Sequence, residues 1–186
     1  MAQRAFPLIR TADDLALLPD DGNRYEIIDG ALFVTPAPSR NHQRVLGELH
    51  FRLREYAAAH GLEVLMAPVD VRASSITQVE PDLLVIPCPL PEEAESRWLP
   101  MGRLLLAVEI LSPSTARNDR GRKRQLYLTS GITEYWIVDP EQRVIEVWNT
   151  SEVHPTIFAV ADTLEWRPSG APPLRLAIGD IFASMS

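Results

Sequence analysis

The chain has 186 residues, of which 46% are hydrophobic and 23% charged, a balance that excludes global disorder, collagen and extended coiled coil. Its 18 basic and 25 acidic residues leave a net charge of −7. That is a poor match to coating DNA by bulk attraction, so any nucleic-acid role needs a local basic patch. Length predicts one domain over residues 1–186, large enough to bury a core without metal or disulfides. The single cysteine, Cys88, has no partner in the chain and fits a reducing compartment. No apolar run approaches the ~18 residues of a membrane span, and Met1–Arg10 carries no signal-peptide core. A soluble, cytoplasmic protein with no membrane partner is expected.

In chain order, Tyr25–Ile28 and Ala31–Val34 flank Asp29-Gly30 and spell a two-residue hairpin. Residues 39–60 predict a helix, with Leu46, Leu49, Leu53, Tyr56 and Ala57 at three- and four-residue steps. Ser39 or Asn41 caps its start and Gly61 stops it. His42 falls inside its apolar face. Three strands follow, at 63–72 (kinked at Pro68), 82–86 and 104–111. The last two are apolar on both faces, as in the interior of a helix-covered sheet. Between them, Pro87–Gly102 is a Pro- and Glu-rich loop of a length that suggests a surface excursion near a site.

A second helix is predicted at about 119–130, with Asn118 or Asp119 as cap and Gly131 as stop. Strands at 134–138 and 144–148, short strands at 156–160 and 174–178, and a helical turn near 180–182 complete the chain. Tyr135, Trp136 and Trp148 are expected to bury against a helix or a second subunit. Helix, three strands, helix, strand is a mixed α/β layer order.

Two carboxylates stand where apolar residues are expected. Asp82 opens a buried-type strand, and Glu109 interrupts Leu-Leu-Leu-Ala-Val-Glu-Ile-Leu. A buried unpaired carboxylate costs several kcal/mol, so each needs a cation, hydrogen bonds or a raised pKa. On neighbouring strands the two would converge on one hard divalent cation, and magnesium suits such a site. Position alone also fits plainer roles, a turn cap for Asp82 and a solvent-exposed strand end for Glu109.

Basic usage is lopsided: seventeen arginines and one lysine, Lys123. Lysine differs from arginine as a compact ammonium able to shift its pKa or orient a water. Its helix face, shared with Leu126 and Tyr127, lays its stem against the core, although an ordinary solvated lysine fits as well. Arg117, Arg120, Arg122, Lys123 and Arg124 form the local basic patch, read either as a solvated helix start or as a phosphate-binding surface led by Arg120. His42 could orient a water or a phosphate, or be a satisfied core histidine. Glu26 is a carboxylate inside a hairpin strand. The chain has no Gly-rich phosphate loop, Gly-x-Ser-x-Gly elbow or His-Glu-x-x-His, which disfavours P-loop, elbow-type hydrolase and zincin readings.

Assembled, these residues resemble the Uma family of restriction-endonuclease-like domains in the PD-(D/E)XK nuclease superfamily. The resemblance runs over about Arg24 to Phe182. It is carried by Arg24-Tyr25-Glu26-Ile27-Ile28-Asp29-Gly30, Pro36-Ala37-Pro38-Ser39 with His42, and Pro81-Asp82-Leu83-Leu84-Val85. It continues through Val108-Glu109-Ile110-Leu111-Ser112-Pro113-Ser114-Thr115, then Asp119, Lys123 and Tyr127, then Gly131-Ile132-Thr133-Glu134-Tyr135-Trp136-Ile137-Val138-Asp139-Pro140.

The resemblance implies a restriction-endonuclease-like mixed sheet flanked by helices, with an N-terminal hairpin and C-terminal short strands. It implies Mg²⁺-dependent (or Mn²⁺-dependent) hydrolysis of DNA phosphodiesters, with Asp82, Glu109 and Lys123 catalytic. The metal would sit on Asp82, Glu109 and the carbonyl of Ile110, with Glu26 and His42 auxiliary and Arg117 and Arg120 on the nucleic acid. The superfamily lysine normally lies two residues after the strand acid, where this chain has Leu111, and Lys123 on the following helix would substitute. A homodimer would present two such sites to two strands. The alternative is a catalytically inactive nuclease fold kept as a nucleic-acid-binding or protein-interaction module.

Overall fold

The computed structural model describes residues 8–88, 97–168 and 170–185. Strands β1 (Arg24–Ile28) and β2 (Ala31–Thr35) form the expected hairpin, with Ile28 opposite Ala31. Asp29 and Gly30 take φ of 51° and 75°, the two left-handed positions that such a tight hairpin turn demands. Helix α1 (Arg40–Ala59) is capped by Ser39, whose hydroxyl accepts the His42 N–H at 3.2 Å. It ends at Gly61, φ 66°. Val45, Leu46, Leu49, Leu53 and Ala57 are its buried stripe, and His42 is buried with them.

The stretch expected as one strand kinked at Pro68 is two strands in two sheets, β3 (Leu62–Met66) and β4 (Val71–Ser74). Proline has no N–H for a ladder, and the chain turns away there, with the Ala67 N–H bonded to the Asp82 carbonyl. Strands β5 (Thr77–Val79), β6 (Leu83–Pro87), β7 (Leu99–Pro100) and β8 (Leu106–Ile110) follow. The anticipated 87–102 loop thus contains β7 and a 3₁₀ turn at Met101–Arg103, and its residues 89–96 lie outside the described residues.

Helix α2 covers residues 116–129 rather than starting at Asp119. It is α-helical at Ala116–Asn118 and Arg124–Thr129, with a π turn at Asp119–Lys123 between them. Neither Asn118 nor Asp119 caps it. A turn at Ser112–Thr115 starts it instead, the Ser112 carbonyl accepting from the Ala116 N–H at 3.0 Å. Strands β9 (Glu134–Asp139), β10 (Val144–Asn149), β11 (Thr156–Ala159), β12 (Thr163–Trp166) and β13 (Leu174–Ala177) precede a last helical turn at Ile178–Ile181.

The main sheet has the order β11-β10-β9-β8-β6-β3, antiparallel except where β8 meets β9. A second sheet, β2-β1-β5-β4-β7, and the β12-β13 pair lie against it. Side-chain alternation splits the core in two. Leu83, Val85, Leu106, Val108, Ile110 and Trp136 face α1 and the C-terminal strands. Leu84, Ile86, Ala107, Tyr135 and Ile137 face α2 and the second sheet. Tyr135, Trp136 and Trp148 are all buried within the chain.

This alternation positions the site. On β8 the even residues belong to the α1 face, so Glu109 shares the other face with Ala107. On β6 the odd residues face α1, so Asp82, one step before the strand, falls on the face of Leu84. Leu83 pairs with Val108 across the ladder, which sets Asp82 beside Glu109.

Candidate active site

Lys123 stands at the end of the π turn of α2, and its ammonium is held between carboxylates from three elements. Its Nζ lies 2.7 Å from Oε1 of Glu26 on β1, 2.9 Å from Oε1 of Glu109 on β8 and 3.9 Å from Oδ1 of Asp119 one helical turn back. Lys123 and Glu109 are each 2% exposed and Asp119 1%. Glu26 Oε1 also accepts the Glu80 N–H at 2.7 Å, and Glu109 Oε1 also accepts the Tyr127 hydroxyl at 3.0 Å. Burial works against the Lys123 charge, but Glu109, Glu26 and Asp119 overcome it and raise the ammonium's pKa.

The three acids do not share this cation evenly. Burial raises the Glu109 carboxyl well above its ordinary value; Lys123 opposes the shift, and Asp119, Asp82 and Glu26 add to it. Burial likewise lifts Asp119 to about 6, against the pull of Lys123. Neither oxygen of Asp119 has a hydrogen-bond partner, an arrangement rare for a buried carboxylate.

Asp82 is built differently. Arg24 donates both terminal nitrogens to Oδ1 at 2.9 Å. Oδ2 lies 3.0 Å from His42 Nε2 and accepts the Ile110 N–H at 2.8 Å. Burial alone would raise this carboxyl, but His42, Arg24 and the Ile110 N–H hold it down at about 2. The His42 Nδ1 has no partner.

These groups line a cavity of about 190 Å³ walled by Arg24, His42, Asp82, Glu109, Ile110 and Lys123. Its lips are Thr35-Pro36-Ala37-Pro38-Ser39 and Ser112-Pro113-Ser114-Thr115, the segments leading into α1 and α2. A larger cavity of about 650 Å³, lined in part by Tyr25, Arg72, Gln78, Glu80 and Trp98, shares no lining residue with it.

The structure therefore gathers Asp82, Glu109, Lys123, Glu26 and His42 in one buried cluster, with Ile110 contributing its N–H. Arg120 is not in it. Its guanidinium is spent on Glu146, at 2.7 and 2.8 Å, and on Asp139 at 3.0 Å. These buried acids on β9 and β10 outcompete solvent for a helix arginine that faces them. Arg117 is exposed beside the Ser112–Thr115 lip. Sequence reasoning did not assign Arg24, Asp119 or Tyr127 to the site. The signal was present in each case: Arg24 two residues before Glu26, and Asp119 and Tyr127 four residues either side of Lys123 on a helix face.

A divalent cation fits this set by charge: four carboxylates face two fixed cations, and the two buried Asp119 oxygens accept no hydrogen bond. It fits as a hydrated ion rather than a caged one, since the described residues contain no cluster of three or more His, Cys, Asp or Glu arranged to hold a metal. Both hydrogen bonds to Glu109 fall on Oε1, whereas four donors already occupy Asp82.

The family model described as Uma2, "Putative restriction endonuclease", matches residues 12–177. Among solved structures, the crystal structure of "a putative nuclease belonging to DUF820" from Anabaena variabilis ATCC 29413 aligns with a TM-score of 0.78 at 19% identity, over 93% of this chain and 97% of that one. At this identity the likeness establishes a shared fold. No curated protein matches the sequence significantly. Among the described residues, no helix is long and apolar enough to cross a membrane.

Proposed function

The chain belongs to the Uma2 family, and from that membership we propose that it hydrolyses DNA phosphodiester bonds at the Asp82–Glu109–Lys123 pocket with Mg²⁺ or Mn²⁺ as cofactor. The observation that carries the reading is a buried ammonium gripped by carboxylates of three separate segments at the floor of a cavity. Structural lysines seldom bury their charge; one that does so beside surplus acids is a candidate for chemistry. When bound, a divalent cation would supply charge neutralisation on the phosphate and a water of lowered pKa. Glu109, through its uncommitted Oε2, and Asp82, after yielding a hydrogen bond from Arg24, would hold it. Lys123 offers a fixed positive charge where negative charge develops on the phosphate oxygens. Arg24, His42 and the Ile110 N–H keep Asp82 ionised and in place, and Tyr127 orients Glu109.

The saturation of Asp82 by four donors favours a second reading, a non-catalytic nuclease fold that binds nucleic acid. One experiment separates them. The purified protein is incubated with linear and circular DNA, single- and double-stranded, in Mg²⁺, Mn²⁺ or EDTA, alongside Lys123→Met and Glu109→Gln. The nuclease reading expects metal-dependent cleavage that drops about a hundredfold or more in either variant, with circular dichroism unchanged. Cleavage that persists in both variants, or its complete absence from the wild type in every metal, overturns it.

A further inference from the structure

The two segments that form the lips of the pocket are free of acids in an otherwise acidic chain. Residues 30–47 and 110–118 contain no Asp or Glu, although the whole sequence carries −7. Within them, Arg40, Arg44 and Arg117 are exposed. Arg40 and Arg44 sit in the first turns of α1, directly after the lip residue Ser39, and Arg117 in the first turn of α2, two residues after the lip residue Thr115. Arg40 and Arg117 have no hydrogen-bond or ion-pair partner among the described residues, and Arg44 reaches only Asn41 at 3.4 Å. A fourth, Arg122, lays its guanidinium over the Phe33 ring at 5.3 Å on β2, two residues before the first lip.

These arginines lie outside the cavity lining, near the ends of its lips in the chain, and the cavity itself is narrow. At about 190 Å³ the cavity is smaller than the ~300–1,000 Å³ that holds a drug-sized ligand. Asp82, Glu109 and Lys123 at its floor are 2–3% exposed. A sugar-phosphate link can descend between two proline-bearing lips, but a stiff duplex brings its second strand against them. Positive charge along a groove with a flat stacked surface beside it is how unpaired strands are held.

Resting on the nuclease reading above, we infer that this pocket takes an unpaired strand of nucleic acid, with Arg40, Arg44 and Arg117 on flanking phosphates and the Arg122–Phe33 stack against a base. The basic patch is then split across two helix starts rather than carried by α2 alone, and Arg120 has no part in it.

The test is binding, measured by fluorescence anisotropy in EDTA so that no catalysis is needed. The probe is a labelled oligonucleotide of about 20 nucleotides, alone or annealed to its complement. The single strand is expected to bind at least about tenfold tighter than the duplex. Each phosphate contact contributes about 0.7 to the slope of log K against log salt for a single strand, so R40A/R44A/R117A should lower that slope by about 2. Arg122→Ala should weaken binding several-fold with little change in slope, and Arg175→Ala, on β13 and outside both lips, should leave both unchanged. Equal or tighter duplex binding, a slope unchanged in the triple variant, or no binding of either probe overturns the inference. Cleavage assays judge the nuclease reading independently: DNA that binds as described but is never cut would sink that reading and leave this one standing.

Discussion

Asp119→Asn isolates the electrostatic cost of the site. The Asp119 carboxyl moves from an ordinary 3.8 to about 6 on folding, chiefly through burial and in spite of Lys123. Two pKa units correspond to about 3 kcal/mol of differential interaction. The sign follows from linkage: the folded state binds this proton more tightly than the unfolded chain does. Its contribution to stability is fully present below pH 3.8 and is lost as pH rises through about 6. The asparagine keeps the shape and cannot ionise. It introduces a pH-independent offset from its amide near the Lys123 ammonium, so the pH trend carries the test. Urea unfolding in EDTA at acid, intermediate and alkaline pH should show the variant gaining on the wild type by about 3 kcal/mol between pH 4 and pH 8. A difference that stays flat over that range, or that shrinks as pH rises, refutes the assignment of Asp119 as an uncompensated charge.

Two further substitutions probe the supports of the same cluster. Tyr127→Phe removes only the hydroxyl that donates to Glu109 Oε1 at 3.0 Å and leaves the ring packed on Tyr135 at 4.8 Å. A buried hydrogen bond to a charged group contributes about 1.5–3 kcal/mol, and a loss of that order in chemical denaturation is expected. Arg120→Ala strands Asp139 and Glu146, 6% and 8% exposed, without their cation. Breaking a buried pair costs about 3–5 kcal/mol, and with the guanidinium 37% exposed a loss nearer 2 kcal/mol is expected after screening. Arg117→Ala, on the exposed side of the same helix, should leave the melting temperature in place.

What could be read from the chain is what repeats with a period. The α1 stripe, the Asp-Gly hairpin and the doubly apolar β6 and β8 each announce themselves through spacing or turn chemistry. Three strands escaped notice, for β5, β7 and β12 have three, two and four residues, too few to display alternation. The split of β3 from β4 escaped because each half is apolar enough to continue the other, and only the pairing partners separate them. In the site, Asp82, Glu109 and Lys123 were conspicuous by residue type against their surroundings. Arg24 and Asp119 were inconspicuous because an arginine beside a hairpin and an aspartate in a helix start are ordinary surface choices. Their burial is a tertiary fact, produced when β1 and the π turn close over the same face of β8.

The π turn also explains how a lysine on a helix can stand in for one on the strand. A lysine at position 111 would leave β8 on the same face as Glu109, since side chains alternate; Leu111 takes that place here and is buried in the core on that face. Placing the ammonium on α2 frees that position for packing but requires the helix to present residues 119 and 123 together toward β8. The wider π turn is pinned on one side by Arg120 to β9 and β10 and on the other by the Tyr135 hydroxyl, which donates to the Asp119 carbonyl at 3.2 Å. Arg120 is thus a positioning residue that acts on Lys123 through the helix backbone, which accounts for an arginine of the basic cluster turning away from the pocket it was expected to serve.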